Sequence, residues 1–145
     1  STDEMQRDKM FGGEAMTLSD FSIIADKLPA PLARKYCLNF AYSTDFEIDA
    51  KKLSSLFDKN KFMVKITPIH NNSACAENGI KTDGGYDTWQ PYRKPEADLK
   101  DEGWDVLVFV PSMDEEDGLV TCGNAVLSGS QIKVAPAINI QGITQ

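Results

Sequence analysis

Cysteine and histidine are scarce in this chain: Cys37, Cys75, Cys122 and a lone His70 among 145 residues. An odd cysteine count with no Cys-x-x-Cys pair argues against a secreted disulfide framework and against a zinc ribbon. A reduced, cytoplasmic setting is the simplest expectation. His70 and Cys75 would be half of a metal site, but a structural zinc wants four ligands and two more are not identifiable. No metal site is therefore expected. No apolar run approaches the ~20 residues of a membrane span, and no basic start with a following apolar segment marks a signal peptide. Positive charge is in short supply as well. Fifteen Lys and Arg against 22 Asp and Glu leave a net charge of −7 and a pI near 4.6. Long-range attraction to nucleic acid is not expected from such a field. Also missing are a glycine-rich phosphate loop between strand and helix and any Ser-His-Asp arrangement.

What is present reads as one ordinary globular domain, long enough to bury most of the surface its unfolded form exposes. Thr2 to Gly12 forms a short helix ended by Gly12-Gly13, and Thr17 with Asp20 resembles a capping box. Phe21, Ile24, Ala25 and Leu28 then recur at helical spacing until Pro29 and Pro31 stop the segment. From Tyr36 to Tyr42 the spacing switches to two, with Tyr36, Leu38, Phe40 and Tyr42 against Cys37, Asn39 and Ala41. Asp49 caps a helix whose buried stripe is Leu53, Leu56 and Phe57. Phe62, Val64 and Ile66 head a second strand ending at Pro68. Pro95 suits the first helical position before Glu96, with Gly103 as the stop. Val106 to Val110 is a continuous apolar run, the mark of a strand covered on both faces.

Alternating helices and strands predict an α/β fold with a parallel sheet and helical crossovers. Ligands in such sheets sit beyond the carboxyl ends of the strands. Three such ends can be placed: Tyr42-Ser43-Thr44, Pro68-Ile69-His70-Asn71, and Pro111-Ser112 leading toward Cys122. His70 is either a surface or capping residue or, with Asn71, a hydrogen-bonding group at that rim. Cys122 is either a small apolar residue beside a turn or a thiol that works only with a bound partner. The acidic run Asp114 to Asp117 upstream would raise its pKa rather than lower it. Tyr92-Arg93-Lys94 is the one basic–aromatic cluster, either a solvated turn or a contact for a phosphate or stacked base.

Five segments resemble the adenine carbon-2 methyltransferases of ribosomal and transfer RNA, within the radical S-adenosylmethionine enzymes. Ser1 to Asp8 resembles the acidic and basic stretch that follows a Ser-Leu-His-like tripeptide in that family. Ala50 to Phe57 resembles the next family helix. Val64 to His70 resembles the strand whose final Asn binds the cofactor, with His70 at that place and Asn71 adjacent. Tyr92-Arg93-Lys94-Pro95 resembles the step into the last helix. Thr121-Cys122-Gly123-Asn124 resembles an Ala-Cys-Gly-Gln segment whose cysteine carries the methyl group between cofactor and adenine.

The resemblance implies that residues 1–128 are the C-terminal portion of a partial (β/α) barrel. Residues 129–145 would be a tail, either one extra strand at Gln131 to Ala135 or a loose end. It implies catalytic Cys122, cofactor-binding His70 and Asn71, and substrate-binding Tyr92, Arg93 and Lys94. S-adenosylmethionine and a four-iron four-sulfur cluster would serve the full-length enzyme. The Cys-x-x-x-Cys-x-x-Cys cluster loop is absent from this chain, so no bound cofactor and no activity are expected from it alone. The expected partner is a missing N-terminal barrel half, with RNA doubtful given the acidic charge and no membrane. A homo-oligomer through the exposed edge of Tyr36 to Tyr42 is expected too, unless the tail from Gln131 to Ile140 covers that edge. The reading from another class is an acidic α/β binding or protein-interaction module without catalysis.

Overall fold

The computed structural model describes residues 1–69, 76–77, 79–81 and 90–110. Asp3 accepts a hydrogen bond from Gln6 N–H at 2.7 Å and so caps α1 (Glu4–Met10). No residue of α1 is buried; polar tethers hold it. Thr17 caps α2 (Leu18–Asp26) by accepting from Asp20 N–H, as the capping-box pattern predicts. The rotation of α2 differs from the expected apolar repeat. Leu18, Ser22 and Ala25 are buried, whereas Phe21, Ile24 and Leu28 are 40%, 48% and 40% exposed. Small Ser22 and Ala25 let the helix approach its neighbours closely, and the larger side chains turn outward. Phe21 still meets Phe57 with ring centroids 5.7 Å apart.

Strand β1 (Tyr36–Tyr42) follows, then α3 (Ala50–Leu56), β2 (Phe62–Pro68), α4 (Gln90–Asp101) and β3 (Val106–Val108). The three strands form a parallel sheet in the order β1-β2-β3. In register, Leu38 faces Val64 and Phe40 faces Ile66, while Val106 and Val108 flank the same two β2 residues. These side chains all point to one face, where α3 and α4 cover them with Leu53, Phe57, Leu99 and Trp104. The two crossover helices touch one another on that face. Trp104 Nε1 also donates to Ser54 Oγ at 3.0 Å, tying the end of α4 to α3.

Two expectations are corrected here. Helix α4 starts at Gln90, and Pro95 lies inside it rather than opening it. An internal proline removes one backbone bond. What draws the helix upstream is Tyr92, 4% exposed and edge-on to Tyr42 with centroids 5.4 Å apart. The apolar run at the end is covered on one face only among the described residues: Leu107 is 49% and Phe109 40% exposed. Apolarity alone did not say that β3 is a short strand with Leu107 exposed. No helix of the described residues is long and apolar enough to cross a membrane.

Candidate functional site

Parallel pairing puts the carboxyl ends of β1 and β2 side by side. Tyr42 is the register partner of Pro68, and Ile69 N–H donates to Tyr42 O at 2.8 Å. Beyond Tyr42 the chain turns on buried Ser43, whose carbonyl accepts from Phe46 N–H at 2.9 Å. The turn delivers Asp49, which accepts from both Lys51 and Lys52 amides and caps α3. The N-terminal segment is bound to the same loop. Thr2 N–H donates to Glu47 O at 2.7 Å, and its hydroxyl accepts from Asp49 N–H at 2.8 Å. Lys52 Nζ donates to Thr2 O at 2.7 Å, and Gln6 Nε2 to Asp45 O at 2.9 Å. Where the chain starts at Ser1, burial of its ammonium lowers the pKa to about 6, and the Arg7 guanidinium pushes the same way. With Tyr92 packed on Tyr42, the first turn of α4 joins this rim as well. Four chain segments thus meet beyond the strand ends.

The sheet's second face carries polar groups. Thr67 Oγ1 donates to Asn39 Oδ1 at 2.9 Å across β2 and β1. Asn39 is the direct register partner of Lys65, whose Nζ stands 4.7 Å from the centroid of the Phe109 ring. Cys37 is on this face too, with a free and exposed thiol. Partial burial raises its pKa, against the opposing pull of Lys65. Along the side of β1 that has no partner strand among the described residues, Cys37 to Ala41 face a cleft of about 260 Å³ walled by Met10, Phe11, Leu18 and Phe21.

His70, Asn71 and Cys122 lie outside the described residues, as does Cys75. Ile69, immediately before His70, is buried at the rim. Tyr92, Arg93 and Lys94 are described and do not act as one cluster, because consecutive helical residues diverge. Tyr92 is a core residue with little ring surface open to a ligand, while Arg93 and Lys94 are exposed. Lys94 pairs with Asp98 one turn on at 2.5 Å, and this bond raises its pKa. Sequence reasoning passed over Asn39, Lys65 and Thr67. Their signal was available: polar residues at alternate places in parallel strands, where apolar ones are the rule. Among the described residues, no group of three or more His, Cys, Asp or Glu is placed to hold a metal ion. No protein-family model, curated protein or solved structure matches the chain.

Proposed function

We propose that the chain is the C-terminal portion of a radical S-adenosylmethionine enzyme, methyltransferase-like, whose sheet is one wall of a partial (β/α) barrel. The observation that carries this reading is the winding: sequential strand order, with both crossover helices in contact on one face. One half of a doubly wound sheet winds the same way, and the sequence resemblance is what favours the barrel. A barrel wall keeps its helices outside and turns its carboxyl rim toward the ligand. The apolar cleft beside β1 and the exposed Phe21, Ile24 and Leu28 support a missing N-terminal half as the partner. A second copy of the chain is the other partner for that strand edge.

In this reading His70 and Asn71, the residues after Ile69, hold S-adenosylmethionine at the rim. The cofactor supplies the methyl group, and the Cys122 thiol is its carrier to the substrate. Arg93 and Lys94 contact substrate from the first turn of α4, and Tyr92 serves by packing that turn onto Tyr42. The residues of this chain do not fit the iron–sulfur cluster, since its three cysteines lack the required spacing. The cluster belongs to the missing half. A net charge of −7 argues against RNA as what this segment binds.

The test has two steps. The coding sequence upstream of Ser1 is expected to specify Cys-x-x-x-Cys-x-x-Cys. In that longer protein, Cys122→Ser is expected to abolish methyl transfer while S-adenosylmethionine still binds. An upstream sequence without the three cysteines, or full methyl transfer by the variant, rules the reading out.

A further inference from the structure

We infer that Lys65 and Asn39 form a binding subsite, on the sheet face turned away from α3 and α4, for the carboxylate or phosphate of a small ligand. The inference stands on that face and not on the methyltransferase reading. Lys65 lies at the middle of the central strand, with β1 and β3 hydrogen-bonded on either side. Its backbone is therefore fixed, and its side chain stands off the sheet beside that of Asn39, its register partner. The ammonium sits near the Phe109 ring, which attracts a cation without neutralising it or occupying its three donors. Among the described residues, no carboxylate lies within salt-bridge distance of Lys65. Lys35, Lys52, Lys59 and Lys61 each give their ammonium to a backbone carbonyl; among the described residues Lys65 has no such acceptor. A lysine on a rigid strand with no carboxylate or carbonyl partner among the described residues is notable in a chain of net charge −7.

The Asn39 amide completes the arrangement. Its Oδ1 accepts from the Thr67 hydroxyl, and its Nδ2 is a donor with no partner among the described residues. Two register partners on adjacent strands thus carry an ammonium and an amide N–H₂. That is the complement of a carboxylate or a phosphate oxygen pair. Leu107 and Phe109 stand exposed on the same face, so the ligand expected there carries an apolar or planar body beside its anion.

The test is an NMR titration of the ¹⁵N-labelled chain with adenosine monophosphate, S-adenosylmethionine and, as the anion-free control, adenosine. At least one of the two probes that carry a phosphate or a carboxylate is expected to shift the Asn39 side-chain amide and the Lys65 and Thr67 backbone amides, while adenosine does not. Lys65→Met keeps the aliphatic stem over Phe109 and is expected to weaken the response about tenfold or more. Lys65→Arg is expected to restore it. Unchanged Val64 and Ile66 amides certify that the variants are folded. Response to the phosphate probe alone assigns the anion as a phosphate; response to S-adenosylmethionine alone assigns it as a carboxylate. No shift at Asn39 with either probe, or equal binding by Lys65→Met, means a solvated lysine only and overturns the inference.

Discussion

Replacing Gly103 by alanine isolates what one backbone conformation contributes to joining α4 to β3. Gly103 has φ 84°, in the left-handed region. Its N–H donates to Lys100 O at 2.9 Å, and Trp104 N–H donates to Leu99 O at 3.0 Å. Together these bonds close the helix as a Schellman motif. A Cβ at this position has room: the nearest atom is Lys59 Nζ at 3.8 Å, the far end of a flexible side chain. The effect is therefore conformational and not steric. Holding an L-residue in this region costs ~1–2 kcal/mol, and alanine recovers part of that because its unfolded chain has less freedom to lose than glycine's. The balance is a loss of about 1 kcal/mol, or roughly 3 °C in Tm for a domain of this size. Urea denaturation followed by tryptophan fluorescence measures it, since Trp104 is buried beside the motif. Gly103→Asn should lose less, because asparagine tolerates the left-handed region. Stability equal to or above that of the parent would refute the left-handed cap, and a loss beyond about 3 kcal/mol would refute the open space around the Cβ.

Leu99 is fully buried between α4 and the sheet, so Leu99→Ala should destabilise by about 2–5 kcal/mol in chemical denaturation. A loss below about 1 kcal/mol would mean that α4 does not pack as described. Asp49→Ala removes the acceptor for two amides at the start of α3 and should lower stability by about 1 kcal/mol; an unchanged denaturation midpoint contradicts the cap. The Lys35–Asp105 pair at 2.6 Å has its carboxylate largely in solvent, so Asp105→Asn should change stability by less than about 1 kcal/mol. A larger change would mean that the pair is not screened. In a chain that starts at Ser1 with its α-amine free, burial lowers the pKa of that amine from the ordinary 8.0 to about 6. Between those values the unfolded chain binds the proton that the folded chain has released, so stability rises with pH through this window and levels off above it. The gain is of the order of 2 kcal/mol. Acetylating the amine should remove the slope, and a flat profile before acetylation would contradict the burial of the terminus.

Local chemistry was legible where a few adjacent residues decide the outcome. The period-two spacing of Tyr36 to Tyr42 and the run from Phe62 to Pro68 set both strand bounds. Asp49 and Thr17 marked their helix starts, and Gly103 the end of α4, because each satisfies or terminates backbone bonds within its own turn. The parallel α/β class followed from the alternation of elements. What the chain's own pattern left open was every choice made between elements. Which of several apolar residues α2 buries depends on how closely α3 and β1 let it approach. The start of α4 depends on Tyr92 finding Tyr42, a partner fifty positions away, which outweighs the local preference for Pro95 at the first turn. The polar second face of the sheet, and with it the meeting of Asn39, Lys65 and Phe109, required the strand register. No local rule brings together residues from three strands; hydrogen bonding between strands does, and it is settled only when the core side chains of all three pack against the same two helices.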